Sequence, residues 1–437
     1  MKPVVAIIGR PNVGKSTLFN RLIGQRKALV NDFPGVTRDR HYAVADWCGH
    51  DFIAIDTGGL APSTTKSLEA CMRDQTLMAV DEADVVVCIL DGREGPTHTD
   101  REIIELLRKS DKPVIYAVNK VNEASGKRDF NLSEFYELGL SDELIPISSE
   151  HGIGVDDLLD EVIKYFPKTI TNAPTHQRTN ARIAVVGRPN VGKSTLINFL
   201  AGKQRVIAHE TAGTTRDSID VEIKMFGRDY VFVDTAGLKK KSSTIETLDK
   251  FSTIKTLRAI ERANIVIMMI DASVGITHHD SSLIDYIYNE GRGIIVAVNK
   301  WDLAKNKEKE YEEYFNWKLL NLHRLPFLCI SASTGENVRD LFKSVEGLRT
   351  SLSKKLSTSE LNNFLEGVEE SHNIPAYRGK TVKLFYATQV KTAPPTIVIF
   401  TNYPEGIPES YKRYIINKLQ NLFGEGVPIR LKFKGRK

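Results

Sequence analysis

Four cysteines, Cys48, Cys71, Cys88 and Cys329, are scattered over 437 residues with no C-x-x-C spacing. That scarcity excludes a disulfide framework and a cysteine-built zinc site, and it fits a reducing compartment. No apolar run approaches the ~20 residues needed to span a bilayer. The apolar stretch within Met1–Ile8 is too short for a signal peptide, and Lys434–Lys437 carries no lipid-anchor signature. A cytosolic protein that leaves membranes alone is expected. Low-complexity tracts are missing as well, while hydrophobic residues make up 41% and charged residues 26%. Those proportions match a chain that folds throughout, and its length suggests about three domains.

The net charge of +5 is unevenly spread. Residues 350–437 carry 14 Lys and Arg against 7 Asp and Glu, whereas the rest of the chain holds slightly more acid than base. All the excess positive charge therefore sits on the last segment, an arrangement suited to a polyanionic partner.

An internal repeat organises the remainder. Gly9-Arg10-Pro11-Asn12-Val13-Gly14-Lys15-Ser16-Thr17 recurs unchanged as Gly187-Arg188-Pro189-Asn190-Val191-Gly192-Lys193-Ser194-Thr195, an offset of 178 residues. Thr37-Arg38-Asp39 returns as Thr215-Arg216-Asp217, and Asp56-Thr57 as Asp234-Thr235. The offset grows to 180 for Asn119 and Asn299, as insertions in surface loops would produce. Two copies of one domain are expected at 1–166 and 181–349, joined by a polar linker at 167–180, with a separate third domain at 350–437. Within the copies, short apolar runs (Val85–Leu90, Val114–Val118, Ile265–Ile270, Ile294–Val298) alternate with amphipathic stretches such as Asp100–Arg108. Runs of this kind imply α/β domains whose mostly parallel sheet is buried by helices on both faces. After Arg349 the pattern reads as helix Ser359–Ser371, strands Thr381–Gln389 and Thr396–Phe400, helix Glu409–Phe423 and strand Ile429–Phe433, a small α+β domain.

The repeated motif is a P-loop, G-x-x-x-x-G-K-[ST], placed in both copies after an apolar strand and before a helix. Its glycines let backbone N–H groups approach phosphates, Lys15 and Lys193 reach the β- and γ-phosphates, and Ser16 and Ser194 are positioned as Mg²⁺ ligands. Base choice rests on Asn299-Lys300-Trp301-Asp302. Aspartate there can accept from both N1–H and the 2-amino group of guanine, a pair adenine lacks. Ser331-Ala332 in the second copy and Ser148-Ser149 in the first supply loops whose backbone N–H suits the guanine oxygen. Asp56-Thr57-Gly58-Gly59-Leu60 and Asp234-Thr235-Ala236-Gly237-Leu238 read as D-x-x-G turns, where the aspartate holds Mg²⁺ through water and a glycine amide senses the γ-phosphate. Thr37 and Thr215, in glycine-containing loops, are the further expected Mg²⁺ ligands.

These motifs, with Pro34-Gly35-Val36-Thr37-Arg38-Asp39, Ala212-Gly213-Thr214-Thr215-Arg216-Asp217 and Pro428-Ile429-Arg430-Leu431, resemble the Der (EngA) family of double-Era-like GTPases. The resemblance covers nearly the whole chain. It implies tandem G domains that bind GTP and GDP and hydrolyse GTP, a C-terminal KH-like domain, and a monomeric switch in assembly of the large (50S) ribosomal subunit and its rRNA. Leu60 and Leu238 stand where many GTPases place a water-orienting glutamine. Related GTPases of this kind use a monovalent cation held partly by a P-loop asparagine, so the resemblance gives Asn12 and Asn190 a catalytic role with K⁺ beside Lys15, Thr37, Lys193 and Thr215. Two rival readings stand: a nucleotide-gated scaffold in which one G domain binds without appreciable turnover, and a membrane-remodelling GTPase, against which the missing anchor argues.

Two departures from the family pattern carry consequences. Residues 350–437 contain no G-x-x-G, the loop with which KH domains clamp nucleotides, leaving Arg430, Lys432, Lys434, Arg436, Lys437, Lys412 and Arg413 as an electrostatic footprint for folded rRNA. Truncation after Arg349 is expected to leave hydrolysis measurable while weakening ribosome association. In the first copy the base reader is Asn119-Lys120-Val121-Asn122, with a neutral amide where aspartate is expected. Each charge-assisted hydrogen bond lost is worth about 1.5–3 kcal/mol. An Asn122→Asp chain should therefore bind GTP at the first site about tenfold to a hundredfold more tightly than the parent, and should favour XTP less. Calorimetric titration with both nucleotides checks this; equal affinity and selectivity would mean that another group reads the base.

Overall fold

The computed structural model describes residues 1–24, 41–57, 76–121, 135–140, 144–166, 181–203, 206–207, 220–225, 227–233, 253–303, 308–321 and 324–435. The expectations for Thr37, Gly58, Gly59, Leu60, Asn122, Thr215, Asp234, Thr235, Ala236, Gly237, Leu238, the linker 167–180, Arg436 and Lys437 lie outside the described residues. Two compact units emerge, Met1–His176 with Ser252–Ile254, and Gln177–Phe251 with Lys255–Lys437.

In the first unit the elements run β1 (Val4–Ile8), α1 (Lys15–Gly24), β2 (His41–Trp47), β3 (His50–Asp56), β4 (Val85–Asp91), α2 (His98–Arg108), β5 (Val114–Asn119), β6 (Ile145–Pro146) and α3 (Val155–Lys164). The continuous apolar runs of β1 and β4 are buried at every position, as strands covered on both faces require. Helix α2 starts two residues earlier than its apolar pattern indicates. Thr97 caps it, accepting from Asp100 N–H while the Asp100 carboxylate accepts from Thr97 N–H, and the capping box fixes the first turn. Sheet order is β2-β3-β1-β4-β5-β6, parallel except for the β2–β3 pair. From β1 the chain passes to β3 on one side and β4 on the other, so strand order reverses there. The crevice beyond the strand ends at such a reversal is where open α/β sheets hold ligands. Register sets Ile7 beside Asp56 and Asp91 beside Asn119, gathering the candidate residues at that end.

The second unit repeats the plan with β7 (Ala181–Val186), α4 (Lys193–Lys203), β8 (Val206–Ile207), β9 (Val221–Met225), β10 (Arg228–Phe232), α5 (Thr253–Arg262), β11 (Ile265–Asp271), α6 (His278–Asn289), β12 (Gly293–Asn299), α7 (Glu308–Asn321), β13 (Phe327–Cys329) and α8 (Val338–Leu352). Its sheet, ordered β13-β12-β11-β7-β10-β9-β8, again reverses at the strand that leads into the P-loop. Asp271 pairs with Asn299 in register, as Asp91 does with Asn119.

Residues 350–437 supply α9 (Thr358–Ser371), β14 (Leu384–Thr392), β15 (Pro395–Thr401), α10 (Glu409–Phe423) and β16 (Arg430–Gly435). The sheet is ordered β14-β15-β16, with β15–β16 parallel. Strand β14 begins and ends three residues later than its sequence pattern suggests. The reason is local: Asn402 brackets 381–383, accepting from Lys383 N–H and donating to Thr381 O, which diverts that stretch from the ladder.

Helix α8 runs across the expected boundary at 349/350, and Leu348, Leu352 and Leu356 join a hydrophobic core shared with Leu361, Ile397, Ile415 and Phe423. Backbone also bridges the two parts, since Ile294 N–H donates to Gly426 O at 3.0 Å. Glycine is required at 426: its φ is +77° and a Cβ would sit 2.3 Å from Ile294 O. The third segment therefore packs as one unit with 181–349 rather than as a freely tethered module. No helix among the described residues is long and apolar enough to cross a membrane.

Candidate functional site

Both P-loops take the same shape. Asn12 and Asn190 have φ of 64° and 62°, a left-handed turn that asparagine tolerates better than most side chains, and their exposed amides have no hydrogen-bond partner among the described residues. Gly14 and Gly192 follow at φ +100° and +102°, where a Cβ would lie 2.2 Å and 2.1 Å from the amide nitrogens of Asn119 and Asn299. Those amides are occupied. Asn119 Nδ2 donates to Val13 O at 2.7 Å and its Oδ1 accepts from Ser149 N–H at 2.8 Å; Asn299 does the same with Val191 O and Ala332 N–H. Each buried asparagine thus ties the phosphate loop to the base loop.

The two lysines lie buried against the loop they follow. Lys15 Nζ donates to Arg10 O at 2.7 Å, and Lys193 Nζ to Gly187 O at 2.8 Å and Arg188 O at 2.6 Å. Burial lowers both ammonium groups below the usual lysine range, Lys193 to about 8, while for Lys15 the nearby Asp56 carboxylate offsets part of the burial effect. Burial disfavours the charged form of each lysine, so a polyanion placed here would be strongly attracted. Ser16 Oγ donates to Asp56 Oδ2 at 2.6 Å, which sets the two expected Mg²⁺ ligands of the first site side by side. No cluster of three or more His, Cys, Asp or Glu suited to a metal is found among the described residues.

At the base end, Lys120 and Lys300, with φ of 69° and 64°, pair with Asp91 and Asp271 at 2.5 Å and 2.6 Å. Burial alone would raise both carboxyls, but hydrogen bonds from these lysines and from backbone N–H groups of the following turn hold them below the ordinary aspartate range. Asp302, on the short 3₁₀ turn Trp301–Leu303, has Oδ1 buried with no hydrogen-bond partner among the described residues. A buried carboxylate oxygen left in this state is costly unless something supplies a donor. In the first site the Ser149 hydroxyl is likewise buried and unpartnered among the described residues.

Several participants are not singled out by the motifs. Asp91 and Asp271 open matching D-x-x-x-G turns, Asp91–Gly95 and Asp271–Gly275, and extending the repeat by its 180-residue offset finds them. The same extension finds Asp100 and Asp280, whose buried carboxylates hold Arg10 Nε and Arg188 Nε at 3.2 Å. Both P-loop guanidiniums are thereby turned to the caps of α2 and α6, leaving the backbone to face a ligand. Arg21 has no such signal. It donates to Ser149 O and Glu150 O beneath the first base loop, where the second copy has Phe199 against Gly335.

Comparison with known proteins agrees with this geometry. The sequence profile described as 50S ribosome-binding GTPase matches residues 4–120 and 182–300, and one described as the C-terminal KH-domain-like part of EngA bacterial GTPase enzymes matches 355–434. The chain is 46% identical over 440 residues to GTPase Der of Geotalea uraniireducens, covering 100% of this chain and 99% of that one. It is 44% identical over 438 residues to GTPase Der of Moorella thermoacetica, covering 99% and 98%. The chain belongs to the GTPase Der family. As a Der-family GTPase it carries two P-loop G domains and a KH-like domain.

Proposed function

We propose that this Der-family chain is a GTP-hydrolysing switch that acts on the large ribosomal subunit during its assembly, with functional divisions at 1–166, 181–349 and 350–437. The observation that carries the nucleotide reading is Asp302, a buried carboxylate oxygen without a partner among the described residues, at the base end of a complete P-loop. Guanine offers the two N–H donors it lacks. Lys15 and Lys193 bind the β- and γ-phosphates, and Asn119 and Asn299 position the base loops; the N–H groups of Ser149 and Ala332 already donate to those asparagines and those of Ser148 and Ser331 to Ile153 O and Glu336 O, so the expectation that they face the guanine oxygen is not met. Ser16, Asp56 and Thr37, with Ser194, Asp234 and Thr215, are the residues that would hold Mg²⁺, whose charge offsets that of the phosphate oxygens. The amides of Asn12 and Asn190, unpartnered among the described residues, suit K⁺, and turnover should be higher in potassium than in sodium; equal rates would remove that role.

The profile description of a 50S ribosome-binding GTPase and the positive charge of residues 350–437 support the ribosomal target. Cosedimentation with isolated large and small subunits is the test. Association with large subunits that is stronger with a non-hydrolysable GTP analogue than with GDP supports the reading, and nucleotide-independent or absent association contradicts it. Because α8 and the shared core cross the 349/350 boundary, cutting after Arg349 would unfold as well as unbind. Surface substitutions are the cleaner probe. The scaffold reading is favoured by one difference between the copies, the neutral Asn122 where the second has Asp302.

A pH dependence follows from Lys193. Phosphates stabilise its protonated form, so the bound pKa lies above the free value of about 8 and binding takes up a proton once pH exceeds that value. GTP affinity at the second site should be flat below pH 7.5 and fall by up to about tenfold per unit above pH 8. Titration in buffers of different ionisation enthalpy measures the uptake; an affinity unchanged to pH 9.5 would rule it out.

A further inference from the structure

The KH-like sheet has two unlike faces. Ala387, Ile397 and Ile399 point into the shared core, with Leu431 and Phe433 packed against it. Alternation sends their neighbours to the opposite face in rows set by the strand register. Tyr386 lies beside Phe400 and Lys434, Thr388 beside Val398 and Lys432, and Lys391 beside Thr396 and Arg430. The helices occupy the core side, since Leu361, Leu365, Ile415 and Leu419 belong to that core.

Two aromatic rings and a file of cations share this second face. The Tyr386 and Phe400 rings are stacked, with centroids 4.3 Å apart and 14° between planes, and both are only partly buried. Arg430, Lys432 and Lys434 line the edge strand β16, each at least partly exposed. Arg430 reaches Asn289 O at 2.8 Å, while Lys432 and Lys434 make no ion pair among the described residues. Edge lysines also discourage strand-to-strand aggregation. That duty explains charge on β16 but not a pair of aromatic rings beside it.

We infer that this face binds single-stranded RNA, the bases stacking on Tyr386 and Phe400 while the phosphates track Lys434, Lys432 and Arg430. Rings that accept any base, next to a line of cations for the backbone, are what sequence-tolerant single-strand binding requires. The missing G-x-x-G loop leaves the usual KH clamp unavailable, and the sheet face offers a different mode. The inference rests on the proposed docking to rRNA and specifies where and on what form of RNA it occurs.

Fluorescence anisotropy of the full chain with a labelled 12-nucleotide oligouridine and with a 12-base-pair RNA duplex tests it. The single strand should bind more tightly than the duplex. Tyr386→Ala should weaken single-strand binding about fivefold to a hundredfold, Tyr386→Phe should not, and Lys432→Gln with Lys434→Gln should flatten the slope of log K against log salt by about 1.4. GTP turnover should stay unchanged in all of them. If Tyr386→Ala fails to fold, the Tyr386→Phe and lysine variants still decide through ring retention and salt slope. Tight duplex binding with no effect of Tyr386→Ala overturns the stacking face but leaves RNA docking intact; no binding of either RNA, together with no association with large subunits, overturns both.

Discussion

A chain carrying Lys193→Ala should lose hydrolysis at its second site by about a thousandfold without losing its fold. The ammonium is the side-chain cation that the second P-loop places at its centre, and removing one preorganised group that meets developing charge typically costs 10²–10³ in rate, with cationic fingers reaching higher. Stability should not suffer. Burial drives the Lys193 pKa down to about 8, which means the fold carries the charge at a cost that alanine removes. Single-turnover GTP hydrolysis by Lys15→Ala, Lys193→Ala and the double variant separates the sites. Turnover should all but vanish in the double variant while its melting temperature holds, and undiminished turnover there would strip both lysines of their role.

Gly192→Ala should be as damaging by a different route. At φ +102° an L side chain is strained, and the new Cβ would lie 2.1 Å from Asn299 Nδ2. The asparagine must then release Val191 O or Ala332 N–H, both of which it holds through buried hydrogen bonds. Backbone strain of about 1–3 kcal/mol and a broken buried hydrogen bond of about 1–3 kcal/mol together weaken nucleotide binding by roughly 30-fold to 10⁴-fold. Gly14→Ala should do the same at the first site, where the new Cβ would lie 2.2 Å from Asn119 Nδ2. Calorimetric stoichiometry should fall from two nucleotides per chain to one in either variant, and retention of two tight sites would show that the asparagine tie is dispensable.

Much of this was legible because the chain repeats itself. One unchanged P-loop at two places locates the strand that precedes it and the helix that follows it, whereas the reversal of strand order that opens the crevice is seen only in the sheet. The base-reading segments follow at the ends of apolar runs long enough to be buried strands. Readings of single positions are sharpest where one residue type answers one chemical need, as an aspartate at 302 would for guanine. They fall short where a side chain does two jobs. Asn119 and Asn299 read as base contacts in the motif, and in the structure their amides also join two loops, a role set by strand register rather than by local spacing. Arg10 and Arg188 stand inside the repeated motif, and nothing in it tells that buried aspartates at helix caps about 90 residues away hold their guanidiniums.

The break at 349/350 was legible as a change of pattern but not as a physical seam. Composition shifts there, whereas the helix does not end until Leu352, and its last turn is part of the core beneath the third segment. Chain composition reports what a surface offers to partners. Packing depends on which apolar residues meet across elements, and nothing near Gly426 announces that its backbone completes hydrogen bonding at Ile294. The stacked pair Tyr386–Phe400 is similar: 14 residues separate the rings in sequence, and only the β14–β15 register brings them together.

That the chain holds a true guanine site, read by Asp302, is tested most directly by calorimetric titration of the Asp302→Asn chain with GTP and XTP. The asparagine loses charge-assisted bonds to N1–H and the 2-amino group but can donate to the oxygen that xanthine carries in its place. GTP affinity at the second site should fall on the order of a hundredfold or more while XTP affinity rises, inverting the preference of the parent. Unchanged GTP affinity and selectivity in the Asp302→Asn chain would contradict it.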